Sequence, residues 1–290
     1  MSVLLFPGQG SQHVGMGKEL YDSNIDSQSW FKKADEILGF SLSEVMFNGT
    51  EEELTQTSVT QPAVLVNAFI RYALQKNKLN SKAVAGHSLG EFTALIANEA
   101  LSFEDSLRLV SIRANAMQKA CDSSEGTMAA VLGLEDTIVE NICNKLSDVV
   151  VAANYNCPGQ LVISGSLTGV EKAVEQAKEN GARRALILNV NGAFHSPLME
   201  SAKIELEEAI QSVSFSVPKV PIYQNVTGVA ETDPEVIKKN LIAQLTDSVR
   251  WTQSMQNMVN DGHKEFKEFG AKVLSGFVRR LDRSLDVSQY

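Results

Sequence analysis

Ser88 stands in "AVAGHSLGEF" (83–92), where a short apolar run meets a serine set between two glycines. The spacing fits G-x-S-x-G, in which the first glycine allows a sharp strand-to-helix turn and the second lets the helix pack close. Such a turn lifts the serine oxygen above the sheet, and the helix N-terminus behind it favours developing negative charge. A serine raised in this way is a nucleophile; the alternative is an ordinary turn serine. A hydroxyl nucleophile needs a base, and the chain has four histidines, His13, His87, His195 and His263. His87 adjoins the serine and on an elbow points elsewhere. His13 lies in a Gly-rich loop and His263 in a polar connector. His195, in "VNGAFHSPLM" (190–199), follows an expected strand and precedes a helix expected near Pro197. Sites of α/β proteins gather at such strand ends. His195 is therefore the favoured base, with capping of the next helix as its alternative duty. Asp105, Asp122, Asp136 and Asp148 lie between serine and histidine, each at a helix start or connector where surface charge explains it. No third acid presents itself, and a histidine held by a backbone carbonyl would serve the same role.

Arg108 and Arg113 lie five residues apart in an expected helix and so point in different directions. An inward arginine needs an anion, because it cannot shed its charge; a solvated surface is the default for either. "FPGQGSQHVGMG" (6–17) lacks a P-loop lysine and does not match GxGxxG. A turn that delivers backbone N–H groups to an oxyanion is the economical reading.

These residues need a scaffold. "VLLF" (3–6) and "KAVA" (82–85) read as short buried strands, and 28–38, 60–76 and 103–120 have helical spacing. Strands alternating with helices predict an α/β fold with a largely parallel sheet. The middle of the chain has the order β-α-β-β-α-β, the ferredoxin-like arrangement. This predicts a small subdomain at 124–191 inserted into a large one made of 1–123 and 192–290. The polar tail "RSLDVSQY" is expected to fray.

The chain has 290 residues and is 43% hydrophobic, enough for a large core. Its net charge of -9 argues against non-specific nucleic-acid binding, which needs a basic surface. An acidic partner remains compatible through a local basic patch. Three cysteines, Cys121, Cys143 and Cys157, form no CxxC, which argues against a disulfide framework or zinc site and for a reducing compartment. The apolar run in "MSVLLFPGQG" is too short for a signal peptide, and no run approaches the ~20 apolar residues of a membrane span. A soluble cytoplasmic protein is expected.

Taken together, the motifs resemble the malonyl-CoA:acyl carrier protein transacylase family of fatty acid synthesis. The resemblance runs through "FPGQGSQ" (6–12), "TQPA" (60–63), "GHSLGE" (86–91), Arg113 and "NYNCPGQLVISG" (154–165). It continues through "GAFHSPLM" (192–199), "PIYQNVTG" (221–228), "VRWTQSM" (249–255) and "KVLSGFVRRL" (272–281). It implies an α/β-hydrolase-like large subdomain and a ping-pong transfer from malonyl-CoA to acyl carrier protein. Ser88 would carry the malonyl ester and His195 would relay the proton. A main-chain carbonyl would orient the histidine, by position that of Arg250. Backbone N–H groups of Gln9 and Leu89 would form the oxyanion hole. Arg113 would pair with the free malonyl carboxylate, and Gln61 would support the site. In related polyketide acyltransferases an A-F-H triplet accompanies malonyl selection; here Phe194 would crowd an added methyl, worth about 1–3 kcal/mol. The resemblance implies no metal or redox cofactor and a family that is commonly monomeric. "VRRLDR" (278–283) and "GARR" (181–184) are candidate docking patches for the acidic carrier protein. The rivals are a trans-acting polyketide malonyltransferase with the same chemistry and an acyl hydrolase, which would have no need of Arg113. Two departures stand out: Gly270-Ala271 where Gly-Pro is usual, and "DGHKEFKEFG" (261–270), more charged than the usual apolar strand.

Overall fold

Ten strands form among the residues described by the computed structural model, 2–190 and 192–290. They are β1 (Ser2–Phe6), β2 (Ser81–Gly86), β3 (Gly126–Leu132), β4 (Val150–Cys157), β5 (Gln160–Ser166), β6 (Arg184–Ile187), β7 (Ile222–Tyr223), β8 (Ala230–Glu231), β9 (Glu265–Glu268) and β10 (Asp286–Gln289). The apolar run of β1 is buried along its whole length, as a parallel strand covered on both faces requires. Leu4 and Phe6 pack into one core cluster and Val3 and Leu5 into another, the two-residue period of a strand.

The large sheet has the order β10-β9-β1-β2-β7-β8. All its pairings are parallel except β7 with β8 at one edge. The second sheet has the order β4-β5-β3-β6 and is antiparallel throughout. Helices Asp136–Lys145 and Leu167–Glu179 connect its strands. This is the ferredoxin-like β-α-β-β-α-β unit, with a core of its own that includes Val131, Tyr155, Ile163 and Val170. The boundary expected at 191 falls on a residue outside those described. The small sheet is stitched to the large part beside the site: Val249 donates its N–H to the Ala153 carbonyl at 2.8 Å, and Tyr155 donates to the Val249 carbonyl at 2.9 Å.

One expectation is corrected at the C-terminus. The polar tail does not fray: β10 pairs with β9 from Asp286↔Glu265 to Gln289↔Glu268, and Tyr290 stacks on Phe269 at 5.2 Å. The charged segment before it is a true strand. Glu265 and Lys267 pair with each other at 3.0 Å, while Phe266 and Glu268 are buried. The Glu268 carboxylate accepts the N–H groups of Val273, Leu274 and Ser275 at 3.0, 2.9 and 2.7 Å. It thereby caps helix Leu274–Leu281, which begins past Ala271 and needs no proline to start it. Among the described residues no helix is long and apolar enough to cross a membrane.

Candidate active site

Strand β2 ends at Gly86, and helix Gly90–Ala97 begins four residues later. Between them Ser88 takes φ 51°, a left-handed value rare for a residue with a side chain. Both glycines of the motif are required sterically. A Cβ on Gly86 would lie 1.9 Å from the Gly90 carbonyl carbon, and one on Gly90 would lie 2.1 Å from the Phe6 carbonyl oxygen. Gly90→Ala is accordingly expected to lower the unfolding free energy by about 3 kcal/mol or more, measured by urea titration; a loss under about 1 kcal/mol would show that the elbow relaxes freely. Asn225 pins the turn: its Oδ1 accepts the Ser88 N–H at 2.6 Å and its Nδ2 donates to the Gly86 carbonyl at 2.7 Å.

His195, also left-handed at φ 57°, lies between β6 and the short turn Pro197–Met199. Its Nε2 is 2.8 Å from Ser88 Oγ and its Nδ1 is 2.7 Å from the Gln244 carbonyl. A carbonyl only accepts, so Nδ1 carries the proton and Nε2 offers its lone pair to the serine hydroxyl. This corrects the assignment of the orienting carbonyl to Arg250. The Arg250 carbonyl accepts the Ser254 N–H at 2.9 Å, within the first turn of helix Trp251–Asn260. Gln244 ends helix Pro234–Ala243, where carbonyls have no partner farther along the helix. The Arg250 side chain instead lines the mouth of a cleft of about 360 Å³ that also exposes His195, Val226 and Ser248.

The two arginines separate as their spacing demands. Arg108 is exposed and faces Asp105 at 3.6 Å. Arg113, in helix Phe103–Ser123, is 1% exposed. Its Nη1 donates to Gln61 Oε1 at 2.6 Å, and its Nη2 to Ser88 Oγ at 3.0 Å and Gln244 Oε1 at 3.1 Å. Its Nε, buried, has no partner among the described residues. Burial lowers the guanidinium to about 10, which leaves it charged near neutral pH. A buried cation held by neutral oxygens beside Ser88 has the charge and donors to receive an anionic group.

Burial, aided by the Arg113 charge, lowers His195 from 6.5 to about 3. The imidazole is therefore neutral near neutral pH, as a proton acceptor must be. Between 6.5 and about 3 the unfolded chain takes up a proton that the folded one refuses, so acid destabilises the fold in that window. His87, lowered by burial, acts with the same sign. His195→Asn is expected to flatten the fall of unfolding free energy below pH 6.5 by about 1.4 kcal/mol per pH unit. An unchanged slope in urea titrations would show that His195 is protonated within the fold.

Among the described residues, neither the Gln9 nor the Leu89 N–H has a hydrogen-bond acceptor. Leu89 precedes the helix after the nucleophile. Gln9 follows Gly8, where an added Cβ would lie 2.4 Å from the His87 carbonyl oxygen, so its loop leans on the elbow. His87 turns away from the serine: its Nε2 lies 2.8 Å from Asn156 Oδ1 and its ring packs near Trp251. Phe194 is buried in the main core next to the histidine in sequence. No three His, Cys, Asp or Glu side chains among the described residues cluster as metal ligands would.

Three residues of the network were not singled out in the sequence: Glu91, Asn225 and Gln244. Glu91 and Asn225 lie inside quoted motifs. Gln244 carried only one signal, an amide among apolar neighbours in "LIAQL".

Comparison with known proteins follows the same lines. The acyl transferase domain family matches residues 3–276. A malonyl CoA-acyl carrier protein transacylase of Bacillus subtilis is 43% identical, covering 97% of this chain and 90% of that protein. A crystal structure of an acyl carrier protein S-malonyltransferase from Vibrio cholerae superposes with a TM-score of 0.95 at 38% identity, covering 99% of this chain and 96% of that one. A malonyl-transacylase solved in complex with a type II PKS acyl-carrier protein gives a TM-score of 0.94 at 33% identity, covering 99% of this chain and 94% of that one.

Proposed function

The chain belongs to the malonyl CoA-acyl carrier protein transacylase family of acyl transferases, and on that premise we propose that it moves malonyl from malonyl-CoA to the phosphopantetheine thiol of acyl carrier protein, supplying fatty acid synthesis. One observation carries the assignment of roles. The Ser88 oxygen lies 2.8 Å from His195 Nε2 and 3.0 Å from Nη2 of the buried Arg113 guanidinium.

Ser88 Oγ attacks the thioester carbonyl carbon as its proton passes to His195 Nε2. The Gln244 carbonyl holds the ring and stabilises the imidazolium that forms. The oxyanion lies against the N–H groups of Gln9 and Leu89, neither of which is committed to another acceptor among the described residues. Collapse breaks the carbon–sulfur bond, and His195 returns the proton to the CoA sulfur. The carrier protein's thiol then gives its proton to His195 and attacks the malonyl ester. Collapse of that adduct returns the proton to Ser88. Arg113 pairs throughout with the free malonyl carboxylate, and Gln61 holds the guanidinium in place. That carboxylate also offsets the charge that lowers His195, so substrate binding strengthens the base. Phe194 is assigned to exclusion of larger acyl groups. No metal or redox cofactor enters, because every proton and electron pair is accounted for by protein and substrates.

The same reading carries a monomeric enzyme of the cytoplasm, and the three unpaired cysteines fit a reducing compartment. The test is malonyl-CoA labelling with competing acyl-CoAs, read by mass spectrometry. One malonyl group on the Ser88 peptide is expected, with slow hydrolysis when carrier protein is withheld. Folded protein without label sinks the mechanism, and rapid turnover in water favours the hydrolase.

A further inference from the structure

The mechanism leaves one buried carboxylate unused. Glu91, in helix Gly90–Ala97, is fully buried. Its Oε1 accepts the Asn225 backbone N–H at 2.5 Å, and its Oε2 accepts from Gln244 Nε2. Both neighbours donate, the pattern that suits an ionised carboxylate, which can only accept. Burial raises the carboxyl above its ordinary value, while the two donors and the Arg113 charge pull it back toward the anion that the donor geometry requires.

This fixes the direction of the Gln244 amide. Its Nε2 faces Glu91 and the Ser88 carbonyl, the latter at 3.0 Å, so its Oε1 must face Arg113. Turned over, the amide would set donor against donor at the guanidinium and acceptor against acceptor at Glu91. Its backbone carbonyl meanwhile holds His195. Asn225 is placed in the same way: its N–H rests on Glu91 while its side chain spans the Ser88 N–H and the Gly86 carbonyl. Glu91 is thus one residue removed from the nucleophile, from the carbonyl behind the base and from an acceptor of the arginine. It is also the charge that opposes buried Arg113, a cation that would be costly to bury alone.

We propose that Glu91 is a positioning residue that sets the polarity of this network, aiming Gln244 Oε1 at Arg113 and holding the Gln244 carbonyl behind His195. The proposal rests on the malonyl-transfer reading. It is tested by single-turnover acylation of the full chain with malonyl-CoA and, separately, acetyl-CoA, with thermal melting to confirm folding. E91Q keeps the size but sets an amide N–H against its donors. Malonyl acylation is expected to slow about 100-fold and acetyl acylation about tenfold, because only malonyl needs the aimed guanidinium. E91D keeps the anion on a shorter stem and is expected to slow both acyl groups while holding the wild-type malonyl preference within about threefold. Should E91Q not fold, E91D decides alone. Equal losses for the two acyl groups in folded E91Q, wild-type rates in E91Q, or a lost preference in E91D overturns the role of Glu91. Absence of label on the wild-type chain would instead overturn malonyl transfer itself.

Discussion

Ser88→Ala is expected to abolish the malonyl-enzyme and to slow malonyl transfer to carrier protein by about 10⁴-fold or more. The size of the loss follows from the chemistry. Without Oγ no covalent intermediate forms, and the carrier protein's thiol must attack malonyl-CoA directly in a site shaped for a serine ester. The oxyanion donors and Arg113 survive and leave a residual rate, as binding and electrostatics alone do in other Ser/His enzymes. The variant should fold. Alanine at φ 51° meets the same backbone constraint as serine, and the hydroxyl's partners are His195 and Arg113 rather than the core. Mass spectrometry of wild type and variant after mixing with malonyl-CoA reads the result. A labelled Ser88→Ala protein would place the nucleophile elsewhere.

Arg113→Ala is expected to slow malonyl acylation by about 10³-fold, the scale of losing one partner of a buried, hydrogen-bonded charge pair. Acetyl acylation should fall by about tenfold or less, because acetyl presents no carboxylate. Two effects of the same change oppose each other for acetyl. The Ser88 oxygen loses a donor at 3.0 Å, while His195 loses the cation that lowers it and becomes the stronger base. Arg113→Lys should recover only part of the malonyl rate: one ammonium cannot serve Gln61, Gln244 and a carboxylate as the two Nη groups do. Melting measurements are needed alongside, since the deletion leaves Glu91 without its buried counter-charge. Equal losses for malonyl and acetyl would remove Arg113 from carboxylate recognition.

Much of the fold was legible because its signals are local. The apolar runs at β1 and β2, the helix of residues 103–123 and the β-α-β-β-α-β rhythm each follow from patterning over a few residues. The tail was misjudged because β10 is an edge strand, polar on its outer side, and its pairing with β9 is a contact between distant parts of the chain. Glu268 shows the same thing in miniature. In sequence it is one charge among several in a charged run; in the fold it caps a helix.

The site divides along a similar line. Ser88 could be found from its neighbours because the elbow's steric demands fall on Gly86 and Gly90, each two residues from it. His195 came from scarcity and position. The carbonyl behind it could not be found this way. Every residue has a carbonyl, and only the end of helix Pro234–Ala243 leaves the one at Gln244 without a partner. Arg113 and Arg108 are chemically alike in the chain, and helix rotation alone puts one against Ser88 and the other in water.

The sequence by itself determined the family and singled out the candidate nucleophile, the candidate base and the kinds of groups the proposed chemistry needs, because these depend on residue identity and short-range spacing. Only the tertiary structure decided how they are held: which carbonyl orients the base, which way the Gln244 amide points and where Glu91 sits. Those depend on directions of hydrogen bonds between residues as many as 156 positions apart, and direction is a property of the packed chain that no local pattern encodes.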